Sequence, residues 1–272
     1  MSSDISIAVI TDAHGNGFAL EAVTKNIRHA APDIVVNLGD QLWGQADPVA
    51  ALAYQQALNA IEVRGNNDER LITLSTPPNP QLARLQEWLA EQLPRSELER
   101  IATLPTTVSL VHGAVLATHG TPATPWDSLL IGWDGTSYVR RSEQEIRERL
   151  LVPEGTEVVL VGHMHREGVR IIDDCLLVNV GPVSSQGDGD PRARWAHLTR
   201  RHGRWQIEAH RVEYDWEAAA NWERQYGPLE DAVNHRRPPN LPMRDLDGTL
   251  MPFTTSFFPQ ADISGTGNGL KD

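Results

Sequence analysis

The segment "ISIAVITDAHGNGFALEAVTKNIRHAAPDIVVNLGD" (residues 5–40) contains two short apolar runs separated by a stretch with helical periodicity. Residues 5–10 and 33–40 have the length and composition of buried strands. Residues 18–30 carry apolar side chains at helical spacing, and Pro32 follows them. A strand, a helix and a second strand in this order predict a parallel pair joined by a right-handed crossover. The segment therefore predicts an α/β fold.

The same pattern continues toward the C terminus. Residues 47–61 predict a second helix, with Asp47 as its N-cap and Pro48 at its first position, and residues 60–68 predict a third strand that ends in a loop. Beyond it, the sequence predicts two helices over 80–103 separated near Pro94, a hairpin over 107–120 that turns at His112, a helix over 142–151, strands from 157 to 214 and a helix over 215–226.

The composition is that of an ordinary globular protein, with 40% hydrophobic and 22% charged residues and a formal net charge of −12 over 272 residues. Such a negative charge argues against nucleic-acid and membrane partners, because both are anionic and bind proteins through a basic surface. Residues 1–10 lack the pattern of a signal peptide, and no apolar stretch approaches the ~18 residues of a membrane span. Cys175 is the only cysteine, which excludes an internal disulfide. We expect a cytoplasmic protein.

The chain divides by composition into a domain over residues 1–226 and a tail over residues 227–272. The tail holds six of the 18 prolines and shows little periodicity. We expect it to wrap around the domain or to be mobile. Its apolar run at 251–259 predicts docking on a surface, and homo-oligomer formation through the tail is one form this could take.

Polar residues that can bind metal ions follow five of the predicted strands. Ligands of open α/β folds bind at the carboxyl ends of the strands, so we expect these residues to converge on one site. The segments are "DAHGN" (12–16), "GD" (39–40), "GNND" (65–68), "THG" (118–120) and "GHMH" (162–165), and the candidate ligands in them are Asp12, His14, Asp40, Asn66, His119, His163 and His165.

Oxygen and imidazole ligands together suit Mn²⁺, Fe²⁺, Co²⁺, Ni²⁺ or Zn²⁺. Seven ligands are too many for one ion and enough for two if one carboxylate bridges them. Each segment alone is commonplace, but five of them in this order, each at a strand end, are hard to obtain by chance. The remaining histidines lack such a pattern and are interpreted as structural or solvated: His29, His112, His197, His202, His210 and His235.

The order of these motifs resembles the calcineurin-like metallophosphoesterase superfamily over roughly residues 5–200. The later segments "THGTPATPWDSLL" and "NVGPVSSQGDGDPRARWAHL" are similar to its bacterial branch of small phosphodiesterases and dinucleoside-polyphosphate hydrolases. The resemblance implies two packed mixed β-sheets flanked by helices and a two-metal site. It implies one ion held by Asp12, His14, Asp40 and His165, and another held by Asp40, Asn66, His119 and His163, with Asp40 bridging. Mn²⁺ is the expected metal, with Fe, Zn, Ni or Co as alternatives.

The activity that this resemblance implies is hydrolysis of phosphodiesters or nucleotide phosphoanhydrides by a metal-bridged hydroxide. The substrate would be a small phosphoester or nucleotide. His14 and Asp40 would take part in catalysis, and Asn16 and Asn67 would donate hydrogen bonds to the phosphoryl group. Two alternatives stay open: a phosphomonoesterase or protein phosphatase, and a non-catalytic metal-binding interaction module on the same fold.

Asn67 departs from the superfamily pattern, because many members carry a histidine after the metal-binding asparagine. An amide can donate a hydrogen bond to phosphate but cannot act as a general acid. We expect Asn67 to point away from the metal ligands; its alternative role is to cap the turn leading into Asp68. Trp126 and Trp133 are interpreted as core residues, with a wall of the substrate site as the alternative. Arg192 and Arg194 are interpreted as members of exposed ion pairs, with contact to a second phosphate as the alternative.

Overall fold

Two five-stranded β-sheets pack face to face in the computed structural model, which describes residues 4–73, 77, 79–229 and the backbone of 243–244. In chain order the elements are β1 (Ile5–Ile10), α1 (Gly17–Ala30), β2 (Ile34–Asn37), α2 (Pro48–Leu58), β3 (Ile61–Glu62), α3 (Asn66–Ile72), α4 (Pro80–Gln92), α5 (Arg95–Thr103), β4 (Thr107–Leu110), β5 (Val115–Thr118), β6 (Ile131–Trp133), β7 (Tyr138–Arg140), α6 (Glu143–Arg149), β8 (Val158–Val161), β9 (Glu167–Ile172), β10 (Cys175–Val180), β11 (Ala193–Arg201), β12 (Arg204–Val212), α7 (Trp216–Tyr226) and β13 (Met243–Arg244).

Both large sheets are mixed. The first has the order β12-β11-β1-β2-β3, with β1, β2 and β3 parallel and β11 antiparallel to β1. The second has the order β4-β5-β8-β10-β9, with β5, β8 and β10 parallel. A small third sheet joins β13, β7 and β6. The predicted α/β class with two packed mixed sheets flanked by helices is confirmed.

Three apolar clusters separate the layers. Between the sheets, Ile7 and Val9 of β1 pack in one cluster with Val158 and Leu160 of β8. On the outer face of the first sheet, Ala8 and Ile10 belong to a cluster with side chains from α1 to α5. On the outer face of the second sheet, the third cluster joins it to α6 and the β6–β7 hairpin. Alternate residues of β1 therefore serve two different cores, as the side-chain alternation of a strand requires.

Most element boundaries follow the sequence expectations. α1 begins one residue before the predicted helix, and α2 has Asp47 as its N-cap, whose side chain accepts from Ala50 N at 3.0 Å. The predicted helices over 80–103 are α4 and α5, separated by Leu93 and Pro94. β4 and β5 form the predicted hairpin, which turns through a short 3₁₀ segment at Val111–Gly113.

Two predictions were wrong in detail. The third strand is only two residues long, and the "GNND" segment is not a loop but opens α3, with Asn66 as its first residue. The β6–β7 hairpin was not predicted, because each strand has only three residues.

The predicted tail lies outside the described residues except for 227–229 and 243–244. Met243–Arg244 adds the parallel strand β13 to β7. The apolar run at 251–259 falls among the undescribed residues, and both the domain boundary and the oligomer through the tail stay predictions. Within the described residues, no helix combines the length and apolarity needed to cross a bilayer.

A buried arginine ties β11 to the loop after β10, contrary to the expected exposed ion pair. The side chain of Arg194 is 1% exposed; its Nη2 lies 2.7 Å from Asp188 Oδ2 and its Nε lies 3.3 Å from Glu167 Oε1. Arg192, by contrast, is 38% exposed and pairs with Asp190. Because the guanidinium of Arg194 cannot lose its charge, its burial depends on both carboxylates.

We predict that Arg194→Met destabilises the protein strongly, because Asp188 loses the buried cation that it contacts and Glu167 keeps only Arg211 as an arginine partner. Removing one member of a buried ion pair typically costs about 3–5 kcal/mol, whereas exposed pairs contribute up to about 1 kcal/mol. Urea unfolding followed by circular dichroism measures the difference, with Arg192→Met as the matched control. Equal losses of unfolding free energy in the two variants would contradict the prediction.

Candidate metal centre

All seven predicted ligands lie together at one end of the two sheets. Asp12, Asp40 and Asn66 follow β1, β2 and β3 of the first sheet, while His119 and the pair His163 and His165 follow β5 and β8 of the second. The carboxyl ends of these parallel strands face the same way, so their loops meet across the seam between the sheets. The structure thus brings together residues from positions 12 to 165 of the chain.

One half of the cluster contains Asp12, His14 and His165. The Nε2 atoms of His14 and His165 lie 3.0 Å apart. Asp12 Oδ1 lies 3.4 Å from Nε2 of His165 and 3.8 Å from Nε2 of His14. Asp40 Oδ2 approaches the same half, at 3.8 Å from His14 Nε2. Two nitrogens and two oxygens therefore surround one point.

The other half contains Asn66, His119 and His163. Asn66 Oδ1 lies 3.0 Å from His119 Nε2 and 2.9 Å from His163 Nδ1. Asp40 Oδ2 lies 3.5 Å from His119 Nε2. The same oxygen of Asp40 thus faces both halves of the cluster, which is the position a bridging carboxylate would need.

Hydrogen bonds on the far side of three imidazoles fix their tautomers. Nδ1 of His14, His119 and His165 lies 3.0, 2.9 and 2.6 Å from the backbone oxygens of Trp43, Leu38 and Ser185. A carbonyl oxygen only accepts, so each Nδ1 carries a proton, and each Nε2 faces the cluster, where its lone pair could bind a cation. This is the usual arrangement of metal-binding histidines.

The geometry of the candidate ligand atoms fits divalent cations. Neutral His14 and His165 would direct two lone pairs at each other across 3.0 Å. Asp12 Oδ2 accepts from Thr11 Oγ1 at 2.8 Å and from His163 N at 3.0 Å, while its buried Oδ1 has no hydrogen-bond partner in the described part of the chain. A cation satisfies all of these acceptors together, which is otherwise difficult in a buried site.

The charges of the cluster agree with this interpretation. Burial alone lowers the pKa of His119, but Asp40 and Asp12 outweigh it and raise the pKa to about 10. Burial and the neighbouring His119 lower the pKa of His163 to about 4. Burial raises the pKa of Asp40, yet His119 and His14 hold that pKa below its usual range. The carboxylates therefore create a field that favours positive charge, and a bound cation would supply it.

Strained backbone coincides with the cluster. Five of the seven residues have positive φ: Asp12 (53°), His14 (46°), Asp40 (55°), His163 (69°) and His165 (52°). Non-glycine residues seldom adopt this region, and it recurs at functional sites where the surroundings enforce it. Gly65 allows the backbone to pass close to Asp40, because a Cβ at this position would overlap Asp40 Oδ1.

Asp68 is a site residue that the sequence interpretation missed. It is fully buried, and its carboxylate accepts from the backbone N–H groups of Asp40, Gln41 and Gly65 at 2.9, 2.9 and 2.8 Å. Burial and the nearby Asp40 raise its pKa to about 6. Asp68 ties the loop after β2 to the start of α3 and so sets the distance between Asp40 and Asn66. The sequence signal was an aspartate at the third position of a helix that begins with Asn66.

Asn67 lies in direct contact with the cluster, which corrects the expectation that it points away from the metal ligands. Its Nδ2 donates to Asp40 Oδ2 at 2.5 Å, and its backbone N donates to Asp40 Oδ1 at 2.8 Å. Its Oδ1 accepts from Arg70 Nη1. Asn67 therefore orients the carboxylate that both halves share. A contact with phosphate stays a prediction.

Asn16 is engaged within the fold. It is fully buried and forms the N-cap of α1, where its Oδ1 accepts from Ala19 N at 3.0 Å and its Nδ2 lies 3.4 Å from the Tyr214 hydroxyl. These bonds give it a structural role, and its predicted contact with a phosphoryl group stays a prediction.

Half-buried Arg70 and exposed Trp126 form a wall next to Asn67. Trp126 is 46% exposed, so its interpretation as a core residue was wrong. The Arg70 guanidinium lies 4.8 Å from the centre of the Trp126 ring, and Trp126 Nε1 donates to Glu69 Oε2 at 2.6 Å. Trp133, also exposed at 47%, packs edge-on against Tyr138 of the small hairpin.

The other histidines lie away from this cluster where they are described. His112 is exposed in the turn between β4 and β5, as expected. His235 falls among the residues outside the description.

Comparison with known proteins agrees with the fold and the cluster. Residues 5–201 match the sequence profile of the Calcineurin-like phosphoesterase superfamily domain. The chain belongs to this superfamily. The resemblance that the motifs suggested is confirmed, and the buried aspartates and histidines supply candidate ligands for the divalent ions that the family implies.

Individual relatives match the chain at low identity. The chain is 25% identical over 232 residues to the uncharacterized protein MJ0912 of Methanocaldococcus jannaschii, covering 77% of this chain and 88% of the relative. It is similar to a metallophosphoesterase from Sphaerobacter thermophilus, with a TM-score of 0.67 and 24% identity over 85% of this chain and 98% of that one. A hypothetical protein, PH1004 of Pyrococcus horikoshii OT3, also has a TM-score of 0.67, with 16% identity over 84% of this chain and 96% of that one.

We predict that Asp68→Asn weakens metal binding while the fold is retained. The amide replaces one acceptor oxygen with an NH₂ group that opposes the backbone N–H groups, so the loop carrying Asp40 loses its anchor. Loss of a group that orients a ligand typically costs about 10–100-fold in metal affinity. Calorimetric titration with Mn²⁺ measures the change. Asp134→Asn is the control, because Asp134 also accepts backbone N–H groups, from Thr136 and Ser137, but lies in the β6–β7 turn. An Asp68→Asn protein with wild-type affinity would contradict the role assigned to Asp68.

Proposed function

We propose that the chain hydrolyses phosphodiesters or nucleotide phosphoanhydrides with two divalent cations bound at the cluster, Mn²⁺ being the expected metal. The observation that carries the proposal is the shared position of Asp40 Oδ2, which lies 3.8 Å from His14 Nε2 in one half and 3.5 Å from His119 Nε2 in the other. Two groups of acceptors that meet at one carboxylate oxygen suit a pair of ions better than a single ion.

The two halves supply complete ligand sets under this proposal. Asp12, His14, Asp40 and His165 would hold one ion, and Asp40, Asn66, His119 and His163 would hold the other. A pair of divalent ions lowers the pKa of a bound water and neutralises the charge of a transferring phosphoryl group. Asn66 contributes a neutral oxygen, so the second half carries less negative charge than an all-carboxylate site. An anionic substrate can therefore approach it more easily.

The chain's own residues then orient these groups. Asn67 holds Asp40 through two hydrogen bonds, and Asp68 holds the backbone of the same loop. The carbonyl oxygens of Trp43, Leu38 and Ser185 hold three imidazoles in one tautomer. Such preorganisation is the protein's main contribution in phosphoryl transfer, where positioning and charge dominate over covalent chemistry.

The wall of Arg70 and Trp126 favours particular leaving groups. Arg70 keeps its charge, so it can stabilise an anion by hydrogen bonds but cannot donate a proton as an acid. Asn67 beside it cannot do so either. Leaving groups that depart as stable anions, such as a nucleotide phosphate or an aryl oxide, would therefore react well, and Trp126 offers a flat surface for a base or aryl ring.

Asp40→Asn tests the proposed function. Because Asp40 would bind both ions, the variant should lose Mn²⁺ and show no turnover of bis-p-nitrophenyl phosphate above background, while circular dichroism stays that of the wild type. Asp173→Asn is the control, since Asp173 is an exposed aspartate paired with Arg147. A wild-type protein that binds two ions yet turns over no phosphoester would favour the interaction module instead.

The leaving-group dependence forms a separate prediction. Without a side-chain acid, turnover should fall steeply as the pKa of the leaving group rises from nitrophenols to simple alcohols. General acid assistance typically contributes about 10²–10⁴-fold, so alkyl esters should lag by a comparable factor. A series of substituted aryl and alkyl phosphodiesters measures the slope. A flat dependence with chemistry rate-limiting would show that an acid group does assist departure.

A further inference from the structure

A second group of metal-binding side chains lies on the outer face of the first sheet. His197 of β11 is paired directly with Glu208 of β12, and His210 is paired with Trp195. Residues two apart on one strand share a face, so His197, Glu208 and His210 project on the same side. Each offers one nitrogen or oxygen ligand atom, and these three atoms lie within 4.8 Å of one another.

The two imidazoles have nitrogens without hydrogen bonds. Nε2 of His197 and Nε2 of His210 are both buried, and neither has a hydrogen-bond partner among the described residues. The nearest carboxylate oxygen to His210 Nε2 is Glu208 Oε1, at 3.8 Å, beyond hydrogen-bond distance. A buried polar atom normally has a partner, and its absence calls for an explanation such as a bound ion.

Contacts within the protein hold the His210 ring in place without a bound ion. Its ring stacks on Trp195, with the ring centres 4.1 Å apart and the planes at 8°. Trp195 is itself held by a hydrogen bond from its Nε1 to Asn26 Oδ1 of α1, at 2.8 Å. Burial lowers the pKa of His210, which keeps the imidazole neutral and able to bind a metal. Glu208, whose side chain is 72% exposed, is free to turn toward the two rings.

We propose that His197, Glu208 and His210 form a third cation site that binds Zn²⁺ or a similar borderline divalent ion and clamps β12 to β11. Two imidazoles and one carboxylate suit Zn²⁺, Co²⁺ and Ni²⁺, and three protein ligands leave one position of a tetrahedral ion for water. β12 is an edge strand, so a clamp here stabilises the sheet where it has a neighbour on one side only. His197 and His210, interpreted from the sequence as structural or solvated, thereby gain a binding role.

The site is separate from the candidate metal centre. His197 is paired with Ala8 of β1, four residues before Asp12. Four residues of extended strand span about 13 Å, and Ala8 faces the helices on the outer side of the sheet. No residue is shared between the two sites, so each can be altered alone.

Counting bound metal tests the proposal. The full-length protein is equilibrated with Zn²⁺, dialysed and analysed for metal by mass spectrometry. His210→Phe keeps an aromatic ring on Trp195 but removes the ligand nitrogen, and Glu208→Gln removes the carboxylate. Each variant should bind one ion fewer than the wild type. If the ion is retained, its affinity should fall by more than the roughly 10–100-fold that is typical when a group that only orients a ligand is lost. Phosphoesterase activity should be unchanged.

Matched controls separate this result from general effects. His202→Asn alters an exposed histidine in the turn between the same two strands, and Glu213→Gln alters an exposed glutamate just beyond β12. Both should retain the wild-type metal count. Asp40→Asn should lose its own ions and keep this one, so the two proposals fail independently. Equal metal counts and affinities in the wild type, His210→Phe and Glu208→Gln would overturn the third site.

Tryptophan fluorescence gives a second readout. Ni²⁺ bound to His210 would lie next to Trp195 and quench its emission. His210→Phe and Trp195→Phe should both reduce the Ni²⁺-dependent quenching relative to the wild type. Quenching that is the same in all three proteins would also overturn the proposal.

Discussion

The structure depends on one electrostatic constraint, the crowding of acceptor atoms at the ends of five strands. Four imidazole nitrogens and three oxygens converge there, and most of them belong to buried residues. Their lone pairs face one another across gaps of 3 to 4 Å. Without positive charge such an arrangement is unfavourable, because buried acceptors lose water and gain only repulsion. Divalent cations turn the same arrangement into a strong attraction.

The rest of the domain holds these atoms in place against their repulsion. Packing of the two sheets aligns five strand ends, and five residues in the loops adopt a strained backbone that places each side chain. Behind the ligands, carbonyl oxygens bind the far nitrogens of His14, His119 and His165. Asp68 and Asn67 then hold the central carboxylate. Removing any one of these supports would let the acceptors move apart, and so the supports matter as much as the ligands.

The sequence predicts well which residues converge at the cluster, because the pattern that identifies them is local. A strand followed by Asp, His or Asn identifies a candidate strand-end ligand without knowledge of the rest of the fold. Asp68 escaped because its role depends on three backbone groups from two separate loops. Arg194 was misjudged for a similar reason: its two carboxylate partners lie in the loop after β10 and in β9. The β6–β7 hairpin was missed because three-residue strands carry too little alternation to detect. Long-range contacts, rather than local patterns, decide each of these cases.

The origin of the ligands in two sheets has a consequence for how the protein folds. The candidate ligands at positions 12 to 66 follow strands of the first sheet, and those at positions 119 to 165 follow strands of the second. His119 reaches across the seam to the carbonyl of Leu38. The unfolded chain has no preformed site, because closing loops of this length carries a large entropic cost before any contact rewards it. Ion binding at this cluster would therefore be coupled to the docking of one sheet on the other, and part of the metal affinity would appear as folding stability. Removal of the ions by a chelator would weaken the packing between the sheets, so the candidate reaction centre would also stabilise the contact between the two sheets.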